Sequence, residues 1–124
     1  LLHFGEPPRG PGLYVMDTPF FSPVSITGMV AAGANVTLFG IGVFNPSGCP
    51  LAPTIKVCGN PDTVRDWPDM VDVDVSAILA RGMAFDAGVD ALADRVRAVC
   101  SGTLTHTECW GEGQLMVPKS LPAL

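Results

Sequence analysis

The stretch that most constrains this chain is GANVTLFGIGVFNPSGCPLAPTIKV, residues 33–57, in which two apolar runs flank a loop rich in glycine and proline. Pro46, Pro50 and Pro53 remove backbone donors, and the glycines raise the entropic cost of order, so the segment between the runs cannot be a helix. NVTLFGI and TIKVC, each short, apolar and bounded by turn residues, read as strands. Their nearly continuous apolar character suits a sheet covered on both faces, as parallel sheets are.

The rest of the chain supplies the cover. LYVM at 13–16 reads as a further short strand. Ser22 before Pro23 is a helix start, and Ile26, Met29 and Val30 at helical spacing predict a helix over 23–32 that Gly33 closes. Asn60 with Pro61 repeats the signal for a short helix that must stop before Pro68. MVDVDVSAIL alternates apolar and acidic residues, as an edge strand or an extended lead into a short helix does. From Asp86, Val89, Leu92, Val96, Val99 and Cys100 form one apolar helix face that ends at Gly102. The tail from Thr103 reads as irregular. GEPPRGPG makes residues 1–12 a linker or arm, leaving 13–124 as one domain. The predicted class is α/β, a small Rossmann-like layered domain with a mostly parallel sheet, and a 48% hydrophobic composition is enough to fill its core.

Several function classes fall away. The net charge of −5 and the scattered Lys and Arg residues oppose binding to nucleic acid. The longest apolar run, 36–44, is broken by Thr37, Gly40 and Gly42 and is far shorter than the roughly 20 residues that span a bilayer. No membrane partner is expected. Cys49, Cys58, Cys100 and Cys109 include no C-x-x-C pair, so reduced thiols and a cytoplasmic setting are expected. The start at Leu1 without Met suggests a domain of a longer protein.

Gly40 and Gly42 follow a strand as a dinucleotide fingerprint would, yet prolines stand where its helix should begin. The loop is then either a plain turn or the edge of a site, where N–H groups around Ser47 and Gly48 could meet an oxyanion. Lys56, inside an apolar strand, must reach solvent, find a partner or serve a ligand. Asp72 and Asp74 share one face of a strand and could hold a divalent ion, although a solvated edge explains them as well. His106, Glu108 and Glu112 could act as acid, base or ligands, but spacing alone assigns them nothing. No catalytic triad can be drawn, and no catalytic base or acid is assigned.

Read together, GLYVMDTPFFSPVSITGMVAAGANVTLFGIG, APTIKVCGN, DMVDVDVSAILARG and SGTLTHTECWGEG resemble the carboxyl-terminal part of the altronate dehydratase and galactarate dehydratase family. The family's MDTP falls on Met16 to Pro19, its Ser-x-Thr-Gly on Ser25 to Gly28 and its Pro-x-Ile-Lys on Pro53 to Lys56. Its acidic pair falls on Asp72 and Asp74, and its terminal Ser-Gly-x-x-Thr-x-x-Glu on Ser101, Gly102, Thr105 and Glu108. Where relatives read Thr-Thr-Gly-Arg-Gly-Ser and then Phe-Gly, this chain has Gly40 to Phe44 and then Ser47 and Gly48. The arginine, a natural bidentate partner of a carboxylate, is absent. Val43 and Phe44 there favour a smaller or less charged substrate, and His106 stands where relatives tend to have Lys.

The resemblance implies a fragment of a metal-dependent hydro-lyase that dehydrates a sugar acid, altronate-like or galactarate-like, to a 2-keto-3-deoxy acid. It implies a divalent metal, iron or manganese, bound mainly by upstream residues, and upstream domains of the same enzyme as partners. Within this chain it points to Ser47, Gly48, Lys56, His106 and Glu108 as substrate-binding candidates and to no metal ligand. Two alternatives stand beside it: a scaffold domain that contributes no reacting group, and a sulfo-lyase relative that eliminates sulfite. The domain alone is expected to be inactive, and self-association is left open.

Overall fold

The computed structural model describes residues 1–80 and 82–118; Arg81, inside one quoted block, and the end of the tail lie outside the described residues. Strands β1 (Thr37–Ile41), β2 (Thr54–Cys58) and β3 (Val73–Asp74) form a parallel sheet in the order β1-β2-β3. Helices α1 (Ser22–Ala31), α2 (Pro61–Asp66), α3 (Ser76–Leu79), α4 (Phe85–Cys100) and α5 (His106–Cys109) surround it, with a 3-10 turn at Pro68–Met70. The expected α/β class is the observed one.

Local chemistry explains most boundaries. Asn60 accepts a hydrogen bond from the Asp62 N–H at 3.0 Å and Pro61 opens α2, as its sequence signal requires. Gly33 and Gly102, just past α1 and α4, adopt φ of +104° and +101°, where a side chain would be strained. The MVDVDVSAIL segment holds both a two-residue strand and a short helix.

Three expectations need correction. Residues 13–16 form no strand: Met16 makes one parallel bridge to Leu2, while Leu13 and Val15 face solvent. The apolar run is there, but among the described residues its strand-like pairing is limited to that one bridge to the arm. On α1, Ile26 is buried but Met29 is exposed, because Phe4 lies on Gly28, where an added Cβ would come within 2.6 Å of its ring. On α4, Leu92, Val96 and Val99 pack inward, whereas Val89 and Cys100 at the two ends are exposed.

Side chains alternate across a strand, so the register assigns the two faces of the sheet. Leu38, Ile55 and Val57 point one way, and α4 covers Ile55 with Leu92, Val96 and Val99. Thr37, Phe39 and Ile41 point the other way with Thr54, Lys56 and Cys58, and α5 packs against β2.

Candidate functional site

Lys56 sits in the middle of the central strand with 0% of its surface exposed, and its Nζ has no hydrogen-bond partner among the described residues. Burial pushes its ammonium below the ordinary lysine range, and the carboxylates of Asp72 and Glu112 pull it part of the way back. A buried amine with three unmet donors is costly unless something accepts from it.

Asp72 organises the ground around it. Its side chain is fully buried and accepts from the Lys56 backbone N–H at 2.9 Å, the His106 backbone N–H at 3.0 Å and Arg95 Nη2 at 2.6 Å. One carboxylate thereby ties β2, α5 and α4 together. The solvated-edge reading of the Asp72 and Asp74 pair is corrected here for Asp72. Asp74 is exposed and accepts from the Ser76 N–H at 2.8 Å, opening α3.

The other candidates gather around α5, which the sequence reading left irregular. Thr105, fully buried, caps this helix: its Oγ1 accepts from the Glu108 N–H at 3.3 Å, while Glu108 Oε2 accepts from the Thr105 N–H at 2.8 Å. The Thr-x-x-Glu spacing was the available signal. Glu108 is exposed and its carboxylate is occupied by this cap. Among the described residues His106 Nδ1 and Thr107 Oγ1 are buried without partners, like Oγ1 of Thr54 and of its cross-strand partner Thr37 on the sheet.

The 45–48 loop closes onto the same helix. An added Cβ on Gly48 would lie 2.1 Å from Thr107 Cγ2, so only glycine permits this approach. Ser47 is buried, and its N–H already donates to Asn45 Oδ1 at 3.0 Å. The structure therefore brings Gly48 against α5 and joins Lys56 to His106 through Asp72, while Glu108 faces outward.

Beside these groups lies a cleft of about 360 Å³ lined by Phe44, Pro46, Trp67, Met70, Trp110 and Glu112, with Asp66 and Asp69 also on it. The Phe44 and Trp67 rings stack with centroids 4.2 Å apart, and Trp110 Nε1 donates to the Asp69 carbonyl at 3.1 Å. These aromatics are far apart in sequence and carried no periodic signal. The cleft's carboxylates, Asp66, Asp69 and Glu112, repel an anion, and Lys56 is not among the residues that line it. Among the described residues no three His, Cys, Asp or Glu side chains are grouped to hold a divalent ion.

The family motifs also acquire contacts. Ser25 Oγ lies 3.0 Å from Thr18 Oγ1, joining the Met16–Pro19 block to the Ser25–Gly28 block. Thr27 Oγ1 accepts from the Met116 N–H at 3.0 Å, and Gly28 admits Phe4.

The family model for the C-terminal part of D-galactarate/altronate dehydratase matches residues 1–123. The chain belongs to this family. It is 33% identical over 119 residues to the (2R)-sulfolactate sulfo-lyase subunit beta of Chromohalobacter salexigens, a match covering 96% of the chain and 31% of that protein. It is 25% identical over 108 residues to the altronate dehydratase of Escherichia coli, covering 87% of the chain and 21% of that enzyme. This family domain thus spans between about a fifth and a third of the length of these relatives. Among the described residues, no helix is long and apolar enough to cross a membrane.

Proposed function

We propose that the chain is the C-terminal part of a hydro-lyase that converts a sugar acid of the altronate or galactarate kind to a 2-keto-3-deoxy acid, with the Lys56 face forming one wall of its site. The supporting observation is the buried, unpartnered Lys56 amine in a domain of this family. Removing a proton α to a carboxylate places developing negative charge on that carboxylate, and a preoriented cation in a dry setting lowers that barrier. Asp72 and Glu112 favour the charged amine against the cost of burial. In this reading Ser47, Gly48 and His106 contribute from the loop and α5, Glu108 acts only by capping α5, and the Gly48 contact with Thr107 supports a shared wall. A divalent ion, iron or manganese, belongs to the remainder of the lyase.

The higher identity to the sulfo-lyase subunit favours a second reading, elimination of sulfite from a sulfonated hydroxy acid. Because such a substrate carries both a carboxylate and a sulfonate and the loop has Val43 and Phe44 in place of an arginine, this reading needs cations from upstream residues.

Product analysis separates the readings. The full-length lyase is incubated with ferrous or manganous ion and with altronate, galactarate or (2R)-sulfolactate, and 2-keto-3-deoxy acid and sulfite are both measured. Lys56→Ala is expected to lower kcat/KM at least about 100-fold on whichever substrate turns over. Unchanged kinetics would leave the domain as a scaffold.

A further inference from the structure

The β1 side of the sheet is unfinished. Among the described residues β1 pairs with β2 alone and stands at the edge. The Thr37 N–H donates to the Pro53 carbonyl, so by parallel alternation Thr37, Phe39 and Ile41 face β2, and the N–H and C=O groups of Leu38 and Gly40 face outward. No hydrogen bond among the described residues satisfies those outward groups.

The surface beside them is apolar and open. Leu38 is 52% exposed, on the face where α4 covers its partner Ile55 but stops short of β1. Gly40 has no atom within 4 Å of where a Cβ would stand, so the sheet face beside the edge is open there as well. A groove of about 560 Å³ runs beside the strand, lined in part by Phe20, Phe21, Met29, Leu38 and Phe39. Phe20 is wholly exposed. Bare apolar edges of parallel sheets are rare, because they invite aggregation.

We infer that β1 receives a further strand from the remainder of the lyase polypeptide, with apolar side chains seated in the Phe20, Phe21 and Leu38 groove. The relatives are between about three and five times as long as the matched segment, so the additional polypeptide has to pack somewhere, and this edge offers backbone pairing and apolar cover together. The docking is separate from the chemistry assigned to Lys56.

Hydrogen exchange on the full-length lyase tests it at single-residue resolution. The Leu38 and Gly40 amides are expected to exchange at least about 100-fold more slowly than the exposed Val43 amide, and to keep that protection in Lys56→Ala. A photocrosslinker introduced as Leu38→p-benzoylphenylalanine is expected to label a peptide outside these 124 residues. Exchange as fast as at Val43 would overturn the inference, as would a crosslink to β1 of a second copy.

Discussion

On the α4 side of the sheet, Ile55, Val73 and Val99 pack with Leu92 and Val96 into an aliphatic layer, and none of those side chains has a polar atom to satisfy. On the other face, β2 with Thr54 and Lys56 packs against α5, which carries His106 and Thr107, and each of these four residues leaves a buried polar atom without a partner among the described residues. Both faces belong to the same short strands, so their difference lies in side chains that alternate one residue at a time. The aliphatic face contributes stability. The polar face gives up some of it to buried polar groups that have no partner among the described residues.

Substitutions can break this contrast. The largest effect is expected at Asp72, which holds the polar face together: Asp72→Ala should cost about 3 to 5 kcal/mol in urea unfolding, because it strands the Arg95 charge and two backbone donors at once. A loss below about 1 kcal/mol would mean that water substitutes for the carboxylate. On the dry face, Ile55→Ala should cost about 3 kcal/mol, the usual penalty for a cavity at a fully buried aliphatic site.

Lys56→Met sharpens the contrast, since it should keep or raise stability by about 1 to 2 kcal/mol by removing an unpartnered buried amine. Its pH dependence has a definite sign. Burial lowers the folded-state pKa below the unfolded value of about 10.4, so between the two the unfolded chain binds more protons. The penalty is therefore full below the folded value and fades as pH rises towards about 10.4: wild-type stability climbs across that window and the Met variant loses that climb. The smallest change is expected at the α5 cap, where Thr105→Ala should cost about 1 kcal/mol by thermal unfolding.

How much of this was legible in the sequence depends on whether the deciding interaction is local. β2, the Asn60 cap of α2 and the glycine stops of α1 and α4 were readable because each is set within a few residues. Residues 13–16 were misread because an apolar run becomes a strand only if a neighbour pairs with it. Asp72 looked solvated because Arg95 and His106, which justify its burial, come from elements 23 and 34 residues away. Glu108 was read for its charge, whereas the Thr-x-x-Glu spacing points to the capping it performs. The burial of Lys56 could be posed as a question from its apolar strand but not answered, since α5, which packs against that strand, comes from far along the chain.

The most direct test of the contrast is to measure turnover in the proposed lyase reaction and unfolding stability on the same preparation of the full-length protein carrying Lys56→Met. Turnover reduced at least about 100-fold with stability kept or raised is the predicted result, and it would place the function of this domain on the α5 face. Turnover equal to wild type would contradict it and leave Lys56 a tolerated buried amine in a scaffold.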